Sequence, residues 1–365
     1  MSVQLKTIKN GVRSLANRLN SKGKKARRRY GYIGANNTRN LGDEAVFIAS
    51  RLYLPELMDF KYQIEPSLAK IGLSGENYFD KVALGGGTLI SKCPGIYEHI
   101  QCALKLGIPL FAFGTGVGSS GFDESSTSDV SYFAEPLKRF IRVGVRGYRS
   151  QTVLQSWGLD NVSVVGDTAL SLTPEIPPTS FVRKRIAFNV ALPAGLNRQE
   201  YDSSIASISS ALTQLSTAGH ELVPIAMVPS DVDAAVAASA GAFRRSDVKF
   251  LTQIDQFFDI VGSCHLLLGV RLHAAILASC IGVPPILLGY RDKCADFMES
   301  MDLANLLLNF ETVTADAILE KISYIESSDS DIRTSIHAKA LHWKRTQADF
   351  IKAVAPELAV DFLQV

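Results

Sequence analysis

From Tyr30 onward the chain alternates short apolar or β-branched runs with stretches of helical period. Runs near 30–34, 59–64, 81–85, 108–113, 142–146 and 162–165 predict strands, and the stretches near 43–54, 95–106, 131–140 and 148–157 predict helices. The segment LTPEIPPTS, residues 172–180, then carries three prolines, which resist helix and predict a linker. Beyond it the alternation restarts. Strands are predicted near 186–192, 221–227, 248–251, 265–269 and 284–289, and helices near 199–216, 230–240, 254–262 and 272–281. From Asp316 the tail reads as two helices, the second over about 331–355. Two strand–helix arrays joined by a proline linker predict an α/β fold. It would have two doubly wound, Rossmann-like domains facing a cleft, over 30–175 and 181–330, and a C-terminal helical segment over 331–365.

Length and composition agree with this division. The 365 residues suit two domains of ~150–180 each. The 47% hydrophobic and 8% aromatic fractions fit a well-cored protein. No apolar run approaches the ~20 residues that cross a bilayer. Lys and Arg interrupt the amino-terminal apolar residues, so no signal-peptide core is expected and the chain reads as cytoplasmic. The five cysteines are scattered, with no C-x-x-C pair, which predicts reduced thiols and no disulfide frame, zinc site or other metal.

Charge adds one feature. Residues 1–29 hold ten Lys or Arg and no acid, whereas the remainder holds 28 basic and 36 acidic residues. In that arm Leu5, Ile8, Val12, Leu15, Ala16 and Leu19 recur at three- and four-residue steps. Lys6, Lys9, Arg13 and Arg18 surround them, and a run of six more cations follows. A basic amphipathic helix of this kind suits an anionic membrane surface, here the inner face of the plasma membrane. A disordered arm or a nucleic-acid tail is the alternative, because Gly11 and Asn17 weaken the helix and no Trp or Phe anchors it. Nucleic acid is not the expected partner.

The candidate chemistry collects at strand ends. GVRLHAAILASCIGVPPILLGYRDK, residues 269–293, brings Arg271 and His273 out where an apolar run gives way to a small-residue helix, with Tyr290 and Lys293 after the next apolar run. Such turns lie at the carboxyl edge of a parallel sheet, and the following helix points its positive end there. Arg271 offers a fork of donors for phosphate or carboxylate, and His273 can move a proton near neutral pH. An isolated Arg-x-His is more often a salt-bridge partner and a cap. In the first half, GYIGANNTRNLGDEA supplies Asn40, Gly42 and Asp43, although capping alone would explain Asn40 and Asp43. LGGGTLI supplies Gly86, Gly87 and Thr88, and FGTGVGSSG supplies Gly116. The latter is not the dinucleotide fingerprint, since Ser119 stands where the third Gly belongs, and no Walker A lysine occurs. Arg146 and Asp167 end two further predicted strands. Together these residues predict an anionic substrate held while a proton is moved.

The order of these motifs resembles the polysaccharide pyruvyl transferase family. The matching pieces are GY-x-G with N-x-GDEA (31–45), LGGGT (84–88), G-x-GVG (114–118), VR with Ser150, GD-x-A (166–169), and RLHA followed by GVP, Tyr290 and Lys293. The chain departs from the family in having Val270 where Ser usually precedes Arg-Leu-His, and in a longer first loop. The resemblance implies a fold similar to GT-B glycosyltransferases, with the C-terminal helix crossing back to the first domain. It implies phosphoenolpyruvate as donor substrate, no cofactor, and as acceptor a sugar with two neighbouring hydroxyls, on a polysaccharide or its lipid-linked precursor. On that reading His273 is the acid, and Arg271, Arg146 and Lys293 hold the donor. Asp43 or Asp167 deprotonates or orients the acceptor, with Tyr290, Asn40, Gly42, Gly86, Gly87, Thr88 and Gly116 binding substrate. Two alternatives stay open: a GT-B glycosyltransferase whose Asp292 or Asp296 grips a nucleotide ribose, and a glycan-binding member without turnover.

Overall fold

A computed structural model describes residues 28–60, 79–92, 94–118, 130–178, 180–193 and 198–358. The basic arm lies almost entirely outside the described residues, as do Cys93 and the predicted strand positions 61–64. Among the described residues no helix is long and apolar enough to cross a membrane.

The first domain runs β1 (Tyr30–Ile33), α1 (Leu41–Tyr53), β2 (Leu57–Asp59), β3 (Lys81–Leu84), β4 (Gly87–Ile90), α2 (Pro94–Lys105), β5 (Leu110–Val117), α3 (Ala134–Lys138), β6 (Val143–Val145), α4 (Tyr148–Ser156) and β7 (Val162–Val164). A 3-10 turn, Thr168–Leu172, leads out of it. Its sheet has the order β2-β1-β3-β5-β6-β7, with β4 also paired to β5. The second domain runs β8 (Val182–Asn189), α5 (Arg198–Thr217), β9 (Glu221–Ala226), α6 (Asp231–Ala238), β10 (Lys249–Phe250), α7 (Ile254–Gly262), β11 (Cys264–Gly269), α8 (Leu272–Cys280), β12 (Pro285–Gly289), α9 (Asp292–Ser300) and β13 (Leu307–Asn309). Its order β10-β9-β8-β11-β12-β13 is the doubly wound 3-2-1-4-5-6 arrangement. Every described strand pair is parallel. The central strands are almost wholly apolar, as strands covered on both faces are: β11 reads CHLLLG, with His265 its one polar residue, and β12 PILLG, all buried. The expected two-domain α/β architecture is what the chain adopts.

Several local expectations change. The glycine-rich segments are strands: Gly87 opens β4, and β5 continues through FGTGV to Val117. Glycines normally weaken strands, but in β5 other side chains cross them. A methyl group at Gly114 would overlap Thr168, and one at Gly116 would come within 2.6 Å of Arg146 Nη2. α9 and β13 have no counterpart among the predicted elements. In place of two tail helices stands one, α10 (Ala315–Val354), 40 residues long. Its polar middle, ESSDSD, reads as a break but continues the helix.

α10 ties the halves together. Trp343 Nε1 donates to Ser300 O (3.0 Å) in the second domain. One turn on, Gln347 Nε2 donates to Val165 O (3.1 Å) and Asp167 O (2.8 Å), while Gln347 Oε1 accepts from Ser171 Oγ. Phe350 stacks on Phe113 with centroids 6.0 Å apart. Gln347 is fully buried, so replacing it leaves several polar groups without partners. Each such group costs about 1–3 kcal/mol. Gln347→Leu is therefore expected to lower the unfolding free energy by roughly 2 kcal/mol or more. Urea denaturation checks this, and an unchanged midpoint would contradict the role given to this side chain.

Candidate active site

In the second sheet the winding reverses between β8 and β11, and ligands of open α/β sheets sit outside the carboxyl ends at such a point. β8 ends at Asn189, whose carbonyl accepts from Val270 N (3.0 Å) and whose Oδ1 accepts from Arg271 N (3.1 Å). That pairing turns the chain from β11 into α8 and presents Arg271, Leu272 and His273 at the crevice. Val270 is fully buried.

The start of α1 faces this turn from the first domain. Asn40 Oδ1 caps it by accepting from Gly42 N (3.0 Å), and Leu41 N donates across the cleft to Met227 O (3.2 Å). A methyl group at Gly42 would overlap the His273 ring, so only glycine lets the helix end approach the imidazole. Thr38 Oγ1 donates to Asp43 Oδ2 (2.9 Å). The preceding loop passes through left-handed backbone at Asn37 (φ 52°) and Arg39 (φ 59°), conformations that cost about 1–3 kcal/mol each and gather at functional sites.

Between the domains lies a cavity of about 150 Å³. Asn40, Asp43, Gly87, Thr88 and Arg146 line it from the first domain, and Met227, Arg271, Leu272, His273, Tyr290 and Lys293 from the second. A larger groove of about 540 Å³, between the end of α5 and the loop 239–243, has no ionisable lining residue. The smaller cavity, with its ionisable lining, is therefore the candidate site.

Four residues expected to touch substrate do not line it. Gly42 makes room for His273, and Gly116 makes room for Arg146. Gly86 sits where a methyl group would come within 2.7 Å of Thr168 Oγ1. Asp167 is fully buried and caps the 3-10 turn, Oδ1 accepting from Ala169 N (3.0 Å). Met227 and Leu272 line the cavity unforeseen, and Asn189 and Asp231 support it. Asn189 falls inside the predicted strand 186–192, so nothing in the sequence marks it as the strand's end.

The polar groups are not equivalent. Arg146 is only 1% exposed, yet its Nε and Nη2 have no hydrogen-bond partner. The Asp296 carboxylate stands 3.9 Å from Nε but is held elsewhere, accepting from Ser150 Oγ (2.7 Å) and Arg149 N (3.0 Å). Arg271, by contrast, is paired with Asp231 through Nη2 (2.7 Å) and Nε (3.1 Å). Lys293 Nζ lies 5.1 Å from the centre of the Tyr290 ring. His273 Nε2 is buried without a partner. Burial pushes the imidazole below its ordinary value; Asp167 and Asp43 oppose that shift, while Lys293 and Arg146 add to it. Burial thus favours the neutral form of the His273 imidazole.

This gives a sign for stability. The folded pKa lies below the unfolded 6.5, so the full contribution is present above pH 6.5 and is lost as pH falls through the folded value. Urea midpoints of the wild type should fall further between pH 8 and pH 5 than those of His273→Gln. Equal pH dependence in both would contradict the assignment.

Comparison with known proteins gives three findings. The family model for polysaccharide pyruvyl transferase matches residues 14–292. The amylovoran biosynthesis protein AmsJ of Erwinia amylovora is 22% identical over 311 residues, covering 76% of this chain and 73% of that protein. Among solved structures, UDP-GlcNAc 2-epimerase from Neisseria meningitidis, bound to UDP-GlcNAc, superposes with a TM-score of 0.56 at 11% identity, covering 90% of this chain and 99% of that one. The S. aureus MnaA–UDP structure superposes at 0.53 and 12% identity, covering 86% and 91%. At these identities the structural likeness concerns the fold alone, a two-domain arrangement of GT-B type.

Proposed function

The chain belongs to the polysaccharide pyruvyl transferase family, and from that premise we propose that it moves pyruvate from phosphoenolpyruvate to two neighbouring hydroxyls of a sugar, forming a cyclic ketal. The observation that carries this reading is the buried Arg146 guanidinium with two unpartnered nitrogens at a small cavity shared with His273, Arg271 and Lys293. A buried cation with unmet hydrogen-bond donors calls for an anion. The cavity, about 150 Å³, suits a three-carbon phosphoester; it is smaller than the ~300–1,000 Å³ of pockets that enclose larger ligands. A nucleotide sugar finds less support. Asp296, the carboxylate that would grip a ribose, is committed to Ser150 and Arg149, and Asp292 Oδ1 faces Arg149 Nη1 at 3.7 Å.

The reaction proceeds in two additions. His273 gives a proton to the methylene carbon, C2 becomes electrophilic, and one sugar hydroxyl adds to it, losing its proton. The second hydroxyl then replaces phosphate at C2, and its proton leaves with the phosphate. Arg146, Lys293 and the amino end of α8 hold the donor's phosphate and carboxylate. Asp43, at the cavity wall, receives or orients the acceptor hydroxyl, and Asp167 acts only through the charge it places near His273. A neutral imidazole cannot donate this proton, so the donor itself arms the site. Its charge, set beside His273, favours the imidazolium.

Incubation with phosphoenolpyruvate and a panel of model and lipid-linked sugars should add pyruvate less water to one of them, with release of phosphate, as read by mass spectrometry. His273→Gln should lower the rate by ~10²–10⁴ while the fold is kept. The wild-type kcat/KM should fall as pH rises through a free-enzyme pKa below 6.5, whereas the falling limb of kcat should lie at higher pH. Coincident limbs, or full activity in His273→Gln, would remove His273 as the acid.

The basic arm completes the proposal: residues 1–29 hold the protein at an anionic cytoplasmic membrane face, near a lipid-linked acceptor. Chain lacking residues 1–29 should shift from vesicles of anionic lipid to the supernatant in sedimentation. Unchanged recovery with the vesicles would end this part of the account.

A further inference from the structure

We propose that Asp231, fixed by Asn189, is a positioning residue that turns Arg271 from a loose cation into an aimed donor, and so sets which anion the cleft prefers. The inference rests on the reading of the cleft as a donor-anion site, and it assigns work to two residues outside the family motifs.

Asp231 opens α6 and is fully buried. Its carboxylate receives five hydrogen bonds. Oδ1 accepts from Arg271 Nε (3.1 Å) and Nη2 (2.7 Å). Oδ2 accepts from Arg271 Nε (3.3 Å), Asn189 Nδ2 (3.2 Å) and Met227 N (3.2 Å). Asn189 is 1% exposed; its Nδ2 also donates to Ile225 O (3.2 Å) and its Oδ1 accepts from Arg271 N (3.1 Å). The three side chains thus come from the end of β8, the turn after β11 and the start of α6, beside the reversal point of the second sheet.

Two consequences follow from donor and charge counts. A guanidinium carries five N–H groups. Asp231 takes the Nε hydrogen and one on Nη2, leaving three in a fixed plane at the cavity that Arg271 lines. The ion pair is also neutral as a whole, so Arg271 adds direction without adding attraction, whereas Arg146, with Nε and Nη2 unpartnered, supplies attraction. A neutral, oriented fork discriminates among anions by shape; a free cation would favour any of them.

Asp231→Asn tests this, because it keeps the size of the side chain and frees the Arg271 charge. Two affinities are read by calorimetry on the full chain, for inorganic phosphate and for phosphoenolpyruvate, together with kcat and KM. The expected result is phosphate binding as tight as in the wild type or tighter. The preference for phosphoenolpyruvate over phosphate falls about tenfold, and kcat falls without a matching rise in KM. In an Arg271→Lys background, which lacks the planar fork, Asp231→Asn should change the preference and kcat less than twofold further. Asn189→Ser is the second variant if Asp231→Asn does not fold, with the same expectation in weaker form. Unchanged preference and kcat in a folded variant, or equal weakening of both anions, would overturn the proposal. If the wild type binds phosphoenolpyruvate yet transfers no pyruvate to any sugar, the proposed reaction fails while the two affinities still decide the role of Asp231. If it binds neither anion, both fail together.

Discussion

The cleft depends on one uncomfortable burial, that of Arg146. A guanidinium removed from water with part of its donor fork unmet costs several kcal/mol, and surrounding structure must hold it there. β5 gives up side chains at Gly114 and Gly116 so that Thr168 and Arg146 can lie across it. Asp296 reaches over from the second domain to within 3.9 Å, but spends its hydrogen bonds on Ser150 and Arg149 and leaves the guanidinium only partly compensated. Incomplete compensation is what an anion site requires, since a fully paired arginine has little to offer a ligand. Arg271 shows the contrast a short distance away, held by a buried carboxylate and directed by it.

The two domains are joined closely enough to make such a site precise in position. α1 packs Leu41, Ala45 and Val46 into the same apolar cluster as β8, β11 and α8 of the second domain. Asp296 sits at the amino end of α4, where its charge meets the positive helix terminus. Arg149 adds a two-pronged pair with Glu299 (2.6 and 2.9 Å). α10 then crosses from the second domain to the first, pinning Ser300 with Trp343 and the turn at Asp167 with Gln347. These contacts hold Asn40 and His273 on facing walls of the cavity.

Much of this was legible in the sequence because the long apolar runs and the prolines at 174, 177 and 178 reflect burial and chain stiffness, which act locally. Hence most strands, the two-domain division of the sheets, and the gathering of Asn40, Asp43, Arg146, Arg271, His273 and Lys293 at one cavity were foreseen. What was missed depends on partners distant in the chain. The glycines of β5 look like a loop until the side chains crossing them, Thr168 and Arg146, are known. α9 hides its helical face because Asp296 and Ser300, polar in sequence, are buried, the first against α4 of the first domain and the second beside Trp343 of α10. The polar middle of α10 stays helical because the residues on either side are packed. Asp231 gives no signal at all, since nothing local distinguishes a carboxylate that pairs with an arginine 40 positions later.

The most direct test of the account is a pair of melting curves, wild type and Arg146→Met, each with and without phosphoenolpyruvate. If Arg146 is kept buried for an anion, the variant should melt at or above the wild-type temperature when alone, because an ill-compensated charge has been replaced by an apolar chain. Phosphoenolpyruvate should raise the wild-type Tm and leave the variant's unmoved. A variant stabilised by phosphoenolpyruvate as much as the wild type would contradict the claim that this guanidinium is the centre of the site.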